Sequence, residues 1–248
     1  MAGANPGRQV LVTVPIAAPI EAVWAALRDR EQLRNWFGWD ADTLAEEIEY
    51  IFFEHSTVDE AARTIIGEPW EGASDGFELA EQDGGTLLCV VRYSDTPFDP
   101  QGDYDDVYEG WVTFVQQLRL LLERHPGASR RTIYLSGAAR PGVSEPAQAL
   151  RIGELRERPE GSEYSLTAAT GDLLNGIVWH RTRHQLGLNV LEWGDGLLVV
   201  TNRGKAPTRP DGGGSVLITT FGLDKAAFGD IETRWRRWWE ERYPSPSA

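Results

Sequence analysis

His180 and His184, in the run Trp179-His180-Arg181-Thr182-Arg183-His184, are the side chains whose type and spacing come nearest to a reactive pair. Residues two apart on a β-strand share a face, so positions 180, 182 and 184 would set both imidazoles side by side with Thr182 between them. Two such rings titrate near neutral pH and can serve as acid and base. A metal ion would need a third ligand, typically Asp, Glu or Cys, and no nearby carboxylate has the spacing to supply it. No metal and no other cofactor is expected. The competing use of the run is a solvated strand face, with Arg181 and Arg183 on the opposite side.

Other polar groups fit structural roles more readily than chemical ones. The acidic loop with Asp99, Asp103, Asp105 and Asp106 lacks the regular spacing and central glycine of a calcium loop. Capping the following helix and staying solvated accounts for it, with Asp106 and Glu109 at the spacing of a capping box. Glu46, Glu47 and Glu49 form a charge cluster beside a predicted strand; acid–base work there would require burial to shift a pKa. Cys89, the single cysteine, lies in the apolar run Thr86–Val91 and reads as a small buried hydrophobe. Asn175-Gly176 and Gly212-Gly213-Gly214 are turn signals, since no helix carrying a lysine follows them. The sequence has no Gly-x-Ser-x-Gly, His-Glu-x-x-His or Walker motif.

Aromatic spacing says more. Phe228, Ile231, Trp235, Trp238 and Trp239 fall on one stripe of a helix, and subtracting 117 from each number gives Trp111, Phe114, Leu118, Leu121 and Leu122. Two such stripes, each closing one half of the chain, indicate a duplicated unit that ends in a long helix packed on something apolar. Trp36, Trp111 and Phe114 are the candidates for lining a cavity in the first half. Trp235, with Trp238 and Trp239, is their counterpart in the second, where Trp179, His180 and His184 would add a strand wall. Core packing is the commoner use of such a stripe and is enough to explain it: five buried apolar side chains supply about 7–15 kcal/mol per helix as an upper bound.

The elements that would position these residues follow the same order twice. Val10–Val14 reads as a strand, and Pro19 opens a helix through Leu27 with Ile20, Val23, Trp24 and Leu27 on one face. A short helix runs from Arg30 to Trp36 and ends at Gly38. Glu47–Glu54 alternates as a strand would, whereas Thr57–Gly67 fits helix or strand. Phe77–Leu79 and Thr86–Tyr93 flank the hairpin turn Asp83-Gly84-Gly85, and a long helix spans about Val107 to His125. After the linker Pro126–Ser129 come a strand at Thr132–Ser136 and a helix at Glu145–Arg156 behind Pro146. Strands are predicted at Tyr164–Thr170, Asn175–His184, Leu186–Trp193, Leu197–Thr201 and Ser215–Thr220, and Asp224 caps the last helix. Strand, helix, several antiparallel strands and a long helix define an α+β protein, not an alternating βαβ one.

At 248 residues there is room for two domains of about 120 residues each, and 41% apolar and 10% aromatic content supplies a core. A net charge of −14, from 38 acidic and 24 basic residues, repels nucleic acid and anionic lipid surfaces, so neither is an expected partner. One cysteine rules out an intrachain disulfide and suits a reducing compartment. Met1–Arg8 has no apolar signal core, and no apolar run approaches the roughly 18 residues needed to span a bilayer. A cytoplasmic setting is expected.

The first half resembles the START-like helix-grip superfamily (SRPBCC), in the branch similar to the activator of the heat-shock-protein ATPase. The residues that carry the resemblance are Val10–Val14, Ala18–Leu27, Leu33-Arg34-Asn35-Trp36-Phe37-Gly38, the strand pair around Gly84-Gly85-Thr86, and Glu109-Gly110-Trp111. It implies a curved antiparallel sheet gripping a long C-terminal helix over residues 8–126, with a cavity between them. The second half, 130–244, shares only the element order and final helix, and reads as a degenerate copy or as a half that completes the first. The acidic stretch Asp40–Glu49 replaces a glycine-rich turn common in that family. Three functions stay open: a binding module for a small, mostly apolar molecule; a co-chaperone-like regulator docking on an ATPase; and an enzyme of the cyclase or hydratase kind.

Overall fold

The computed structural model describes residues 7–99 and 102–245. Residues 1–6, most of the polar N-terminal stretch, lie outside that range, as do residues 100 and 101 of the acidic loop. The chain divides into two compact units between Ala128 and Ser129.

In the first unit, strand β1 (Arg8–Ile16) leads into helices α1 (Ile20–Arg28), α2 (Arg30–Arg34) and α3 (Leu44–Glu49). Strands β2 (Ser56–Asp59), β3 (Thr64–Gly67), β4 (Ala73–Gln82) and β5 (Gly85–Ser94) follow, and helix α4 (Asp106–Arg124) closes the unit. The strands form one antiparallel sheet in the order β1-β5-β4-β3-β2. In the second unit, β6 (Arg130–Ala138) precedes the single turn α5 (Pro146–Ala149). Then come β7 (Glu163–Thr167), β8 (Leu173–Arg181), β9 (Gln185–Val190), β10 (Gly196–Arg203), β11 (Gly213–Phe221) and helix α6 (Lys225–Glu240). Their order is β6-β11-β10-β9-β8-β7, again antiparallel throughout. In both units the first strand pairs with the last, and the remaining strands form a meander from it. Bulges at Val10/Val12 in β1 and Val178/His180 in β8 bend those strands.

The long helices use the duplicated stripe. On α6, Ile231, Trp235, Trp238 and Trp239 are buried in one cluster with Leu198 and Val200 of β10 and Val216 and Ile218 of β11. On α4, Leu118 and Leu121 are buried, Trp111, Phe114 and Leu122 are half-buried, and Val112 and Val115 widen the buried face. The Asp224 side chain accepts from the Ala227 amide at 2.8 Å and caps α6 as expected.

Three local expectations are corrected. Glu47–Glu54 is helical: α3 runs into a π-helical turn, Tyr50–Glu54, instead of forming a strand. Leu44, Ile48 and Phe52 are buried at steps of four, whereas Tyr50, which alternation would have turned inward with them, is half exposed. The helix expected at Glu145–Arg156 stops after one turn, because Arg151 takes φ +63° and only a 3-10 turn at Gly153–Glu157 resumes the coil. Helix α4 starts one residue early, so its cap is Asp105, which accepts from the Tyr108 amide at 2.9 Å, not Asp106. No helix among the described residues is long and apolar enough to cross a membrane.

Removing the α6 cap tests how much of the second unit rests on that helix end. Asp224→Ala is expected to lower stability by about 1 kcal/mol, read as a fall in the denaturant midpoint of the full chain.

Candidate functional site

Trp36, Trp111 and Phe114 come together. The segment Trp36-Phe37-Gly38-Trp39 leaves α2 with Gly38 at φ +59°, and Gln117 of α4 pins it by donating from Nε2 to the carbonyls of Trp36 (3.0 Å) and Gly38 (3.1 Å). The Trp36 indole, fully buried, donates to the Ala26 carbonyl at 2.9 Å. Its ring stands edge-on to Phe37, Phe52 and Phe77 at centroid distances of 5.9, 5.9 and 6.3 Å. Phe77 of β4 meets Trp111 of α4 at 5.2 Å, and Phe37 meets Phe114 at 5.0 Å. The cluster thus bridges sheet and helix, grading from fully buried at Trp36 and Phe52 to half-buried at Trp39, Trp111 and Phe114.

One edge of the cluster is polar. The Asp75 carboxylate accepts two hydrogen bonds from Arg92, at 2.7 and 2.9 Å, and a third from the Trp111 indole at 2.9 Å. Arg92 also lies 3.5 Å from Asp105, the cap of α4. Hydrogen bonding to Asp75 is the main influence raising the Arg92 pKa above its ordinary value; burial opposes it, and Asp105 adds to it. The arrangement orders sheet, helix and cap around a single carboxylate.

The second unit holds a similar tie. Asp172 accepts from the Trp235 indole at 3.0 Å, from Arg234 at 2.5 Å and from the Thr170 hydroxyl at 2.6 Å. Trp235 is fully buried and edge-on to Trp193 at 5.6 Å, so it is core.

The imidazole pair does not take the expected form. Strand β8 ends at Arg181, and Thr182, Arg183 and His184 make the turn into β9, so the strand alternation that would align His180 with His184 is broken. His180 is buried, shares a hydrogen bond of 3.2 Å between Nε2 and Gln185 Oε1, and lies over Gly187, where an added Cβ would fall 2.1 Å from Nδ1. Trp179 is buried too, yet both it and His180 are outside the cluster that α6 closes. Glu49 is engaged by Arg30 and Glu47 by Thr43, both on exposed helix surface. Among the described residues no group of three or more His, Cys, Asp or Glu side chains is placed to share a metal ion.

Phe52, Phe77, Asp75, Arg92 and Gln117 were not among the sequence candidates. The turn Asp83-Gly84 held the signal for two of them: a two-residue hairpin loop pairs residues whose numbers sum to 167, and Asp75 with Arg92 is such a pair.

The fold is a helix-grip, made twice. It is similar to START-like proteins, Aha1-like ones among them. The Aha1 dimer from Colwellia psychrerythraea is 16% identical, covering 49% of this chain and 99% of that one with a TM-score of 0.34. An AHSA1-like protein from Rhizobium etli is 21% identical over 51% of this chain and 90% of its own, at 0.33. The di-domain ARO/CYC StfQ, from the steffimycin biosynthetic pathway, is 13% identical over 91% of this chain and 90% of its own, at 0.35. No protein-family model matches the sequence, and none of the curated proteins does. No residue role is carried across from these structures.

Two substitutions probe the paired ties. Trp111→Phe and Trp235→Phe each remove one donor from a carboxylate and are expected to cost about 1–3 kcal/mol. The second should cost more in chemical denaturation, because the Asp172 side chain is 6% exposed against 15% for Asp75. Gly187→Ala should cost about 1–3 kcal/mol by overpacking against His180, and adding His180→Ala should recover part of that loss. Equal losses with and without the imidazole would show that the ring does not set the requirement for glycine.

Proposed function

We propose that the first unit is a binding module for a small, mostly apolar molecule, taken where the aromatic cluster opens at Trp39, Trp111 and Phe114. The observation that carries this reading is the gradation within a single cluster. Its floor, Trp36 and Phe52, is fully buried, with the Trp36 indole bonded to the Ala26 carbonyl, whereas its rim, Trp39, Trp111 and Phe114, is half-buried. Apolar walls with a few fixed polar groups are the usual composition of small-molecule sites. Asp75, Arg92 and the Trp111 indole supply those groups on one side. No side chain of the cluster is assigned a chemical step.

A thermal-shift screen with a broad panel of apolar and aromatic compounds tests the proposal. A ligand present at a hundred times its Kd adds about 2.7 kcal/mol, enough to raise the melting temperature by several degrees. Phe114→Trp, which fills the rim, should abolish the shift produced by any compound that works on the wild type. If no compound raises the melting temperature, or if Phe114→Trp leaves the response unchanged, this site is not where a ligand sits.

A further inference from the structure

A second feature of the first unit has no part in packing the core or tying the helix. Trp70 is 72% exposed, at the tip of the β3–β4 connection. It is not on a loose loop. Its amide donates to the Ala73 carbonyl at 2.8 Å and the Ala73 amide donates back at 3.0 Å. The two residues between them, Glu71 and Gly72, take φ +49° and +83°, the signature of a tight hairpin turn with both central residues left-handed. The indole is therefore presented on a fixed backbone, at no gain to the core. Tyr50, 50% exposed, meets the His55 ring at 4.0 Å with the planes tilted by 37°. His55 Nδ1 lies 2.8 Å from Glu68 Oε2, and the Glu68 amide donates to the His55 carbonyl at 2.8 Å. Glu68 is thus linked through His55 to the exposed Tyr50 ring and stands two residues before the exposed Trp70, with Glu71 in the turn.

The local charge is one-sided. From Glu54 to Asp83 there are nine carboxylates and one arginine, Arg63. Of the nine, Asp75 is matched by Arg92, Glu78 by Arg8 and Glu60 by Arg63, whereas Glu71, in the turn beside Trp70, is exposed. Aromatic faces attract cations, and carboxylates beside them add attraction over a longer range. Exposed tryptophan and tyrosine are also the side chains that most often anchor protein interfaces. We propose that this corner is a docking surface for a cationic segment of a protein partner. An arginine or lysine side chain lies against the Trp70 and Tyr50 rings there, with Glu68 and Glu71 as its ion partners. This inference is independent of the ligand site in the aromatic cluster.

The test uses the full chain and two peptides that differ only in charge, Ac-Ser-Arg-Gly-Arg-Ser-amide and its citrulline counterpart, titrated by calorimetry. The arginine peptide should bind and the citrulline peptide should bind at least about tenfold more weakly. Trp70→Ser and Tyr50→Ser should each weaken the arginine peptide by about fivefold without lowering the melting temperature. The double substitution Glu154→Gln and Glu157→Gln, which removes two exposed charges from the other unit, should leave binding as it was. Unaltered binding by Trp70→Ser, or an equal loss in the Glu154/Glu157 variant, would overturn the proposal in favour of diffuse attraction to the acidic chain. Sedimentation of the protein alone is the second arm: self-association abolished by Trp70→Ser would overturn it in favour of a second copy of the chain as the occupant.

Discussion

The constraint on which both units depend is that a carboxylate, once taken from water, must be met by donors from the long helix as well as from its own side of the structure. Asp75 is met by Arg92 from the neighbouring strand and by the Trp111 indole from α4. Asp172, in the turn before β8, is met by Thr170 locally and by Arg234 and Trp235 from α6. A buried charge without partners costs several kcal/mol, so a docked helix that covered the carboxylate without bringing its indole would leave it a donor short. Apolar burial drives the docking but is indifferent to where along the sheet the helix lies. The indole–carboxylate bond fixes that position.

The two ties do not occupy equivalent positions on the stripe. Under the offset of 117 residues Trp235 falls on Leu118, and Trp111 falls on Phe228. The donor thus occupies the third place of the stripe in one unit and the first in the other. Each unit meets its carboxylate from a different place on its helix. The interiors differ as well. The second core is built on strand aliphatics such as Leu186, Leu188, Leu198 and Val200 under three tryptophans, all buried. The first packs phenylalanine and tryptophan rings edge to face, with some of the rings partly open.

Legibility in the sequence followed the range of the signal. Helical stripes and the Asp83-Gly84 turn are local, and they give the long helices, the duplication and the antiparallel meander. The Glu47–Glu54 stretch was misread because three alternating apolar residues fit a strand, while Ile48 and Phe52, four apart, fit a helix turn equally well; burial of both with Tyr50 outside decides it. The His180–His184 reading failed on strand length, since alternation holds only while the strand lasts and β8 ends at Arg181. Aromatic type marks Trp36, and helical spacing marks Trp111 and Phe114 as well; their rings meet through Phe37. Asp75 and Arg92 were missed because their meeting depends on the register of a hairpin ten residues long on each side. Nothing local marks Gln117, whose partners are carbonyls about 80 positions away in the chain.

The way the aromatic cluster is held explains why a guest would enter at one end and not the other. An edge-to-face ring pair contributes about 0.5–1.5 kcal/mol beyond area burial. A rim ring such as Phe114 can therefore turn aside at a cost that the burial of an incoming apolar group offsets. Trp36 has no such freedom: moving it would break the indole bond to Ala26 and open a void among Phe37, Phe52 and Phe77. Gln117, by holding the Trp36 and Gly38 carbonyls, fixes the backbone on either side of Phe37. The cluster is bonded at Trp36 and at Trp111, while Phe114 meets its neighbours through ring contacts, and under the proposed function that difference sets the direction of entry.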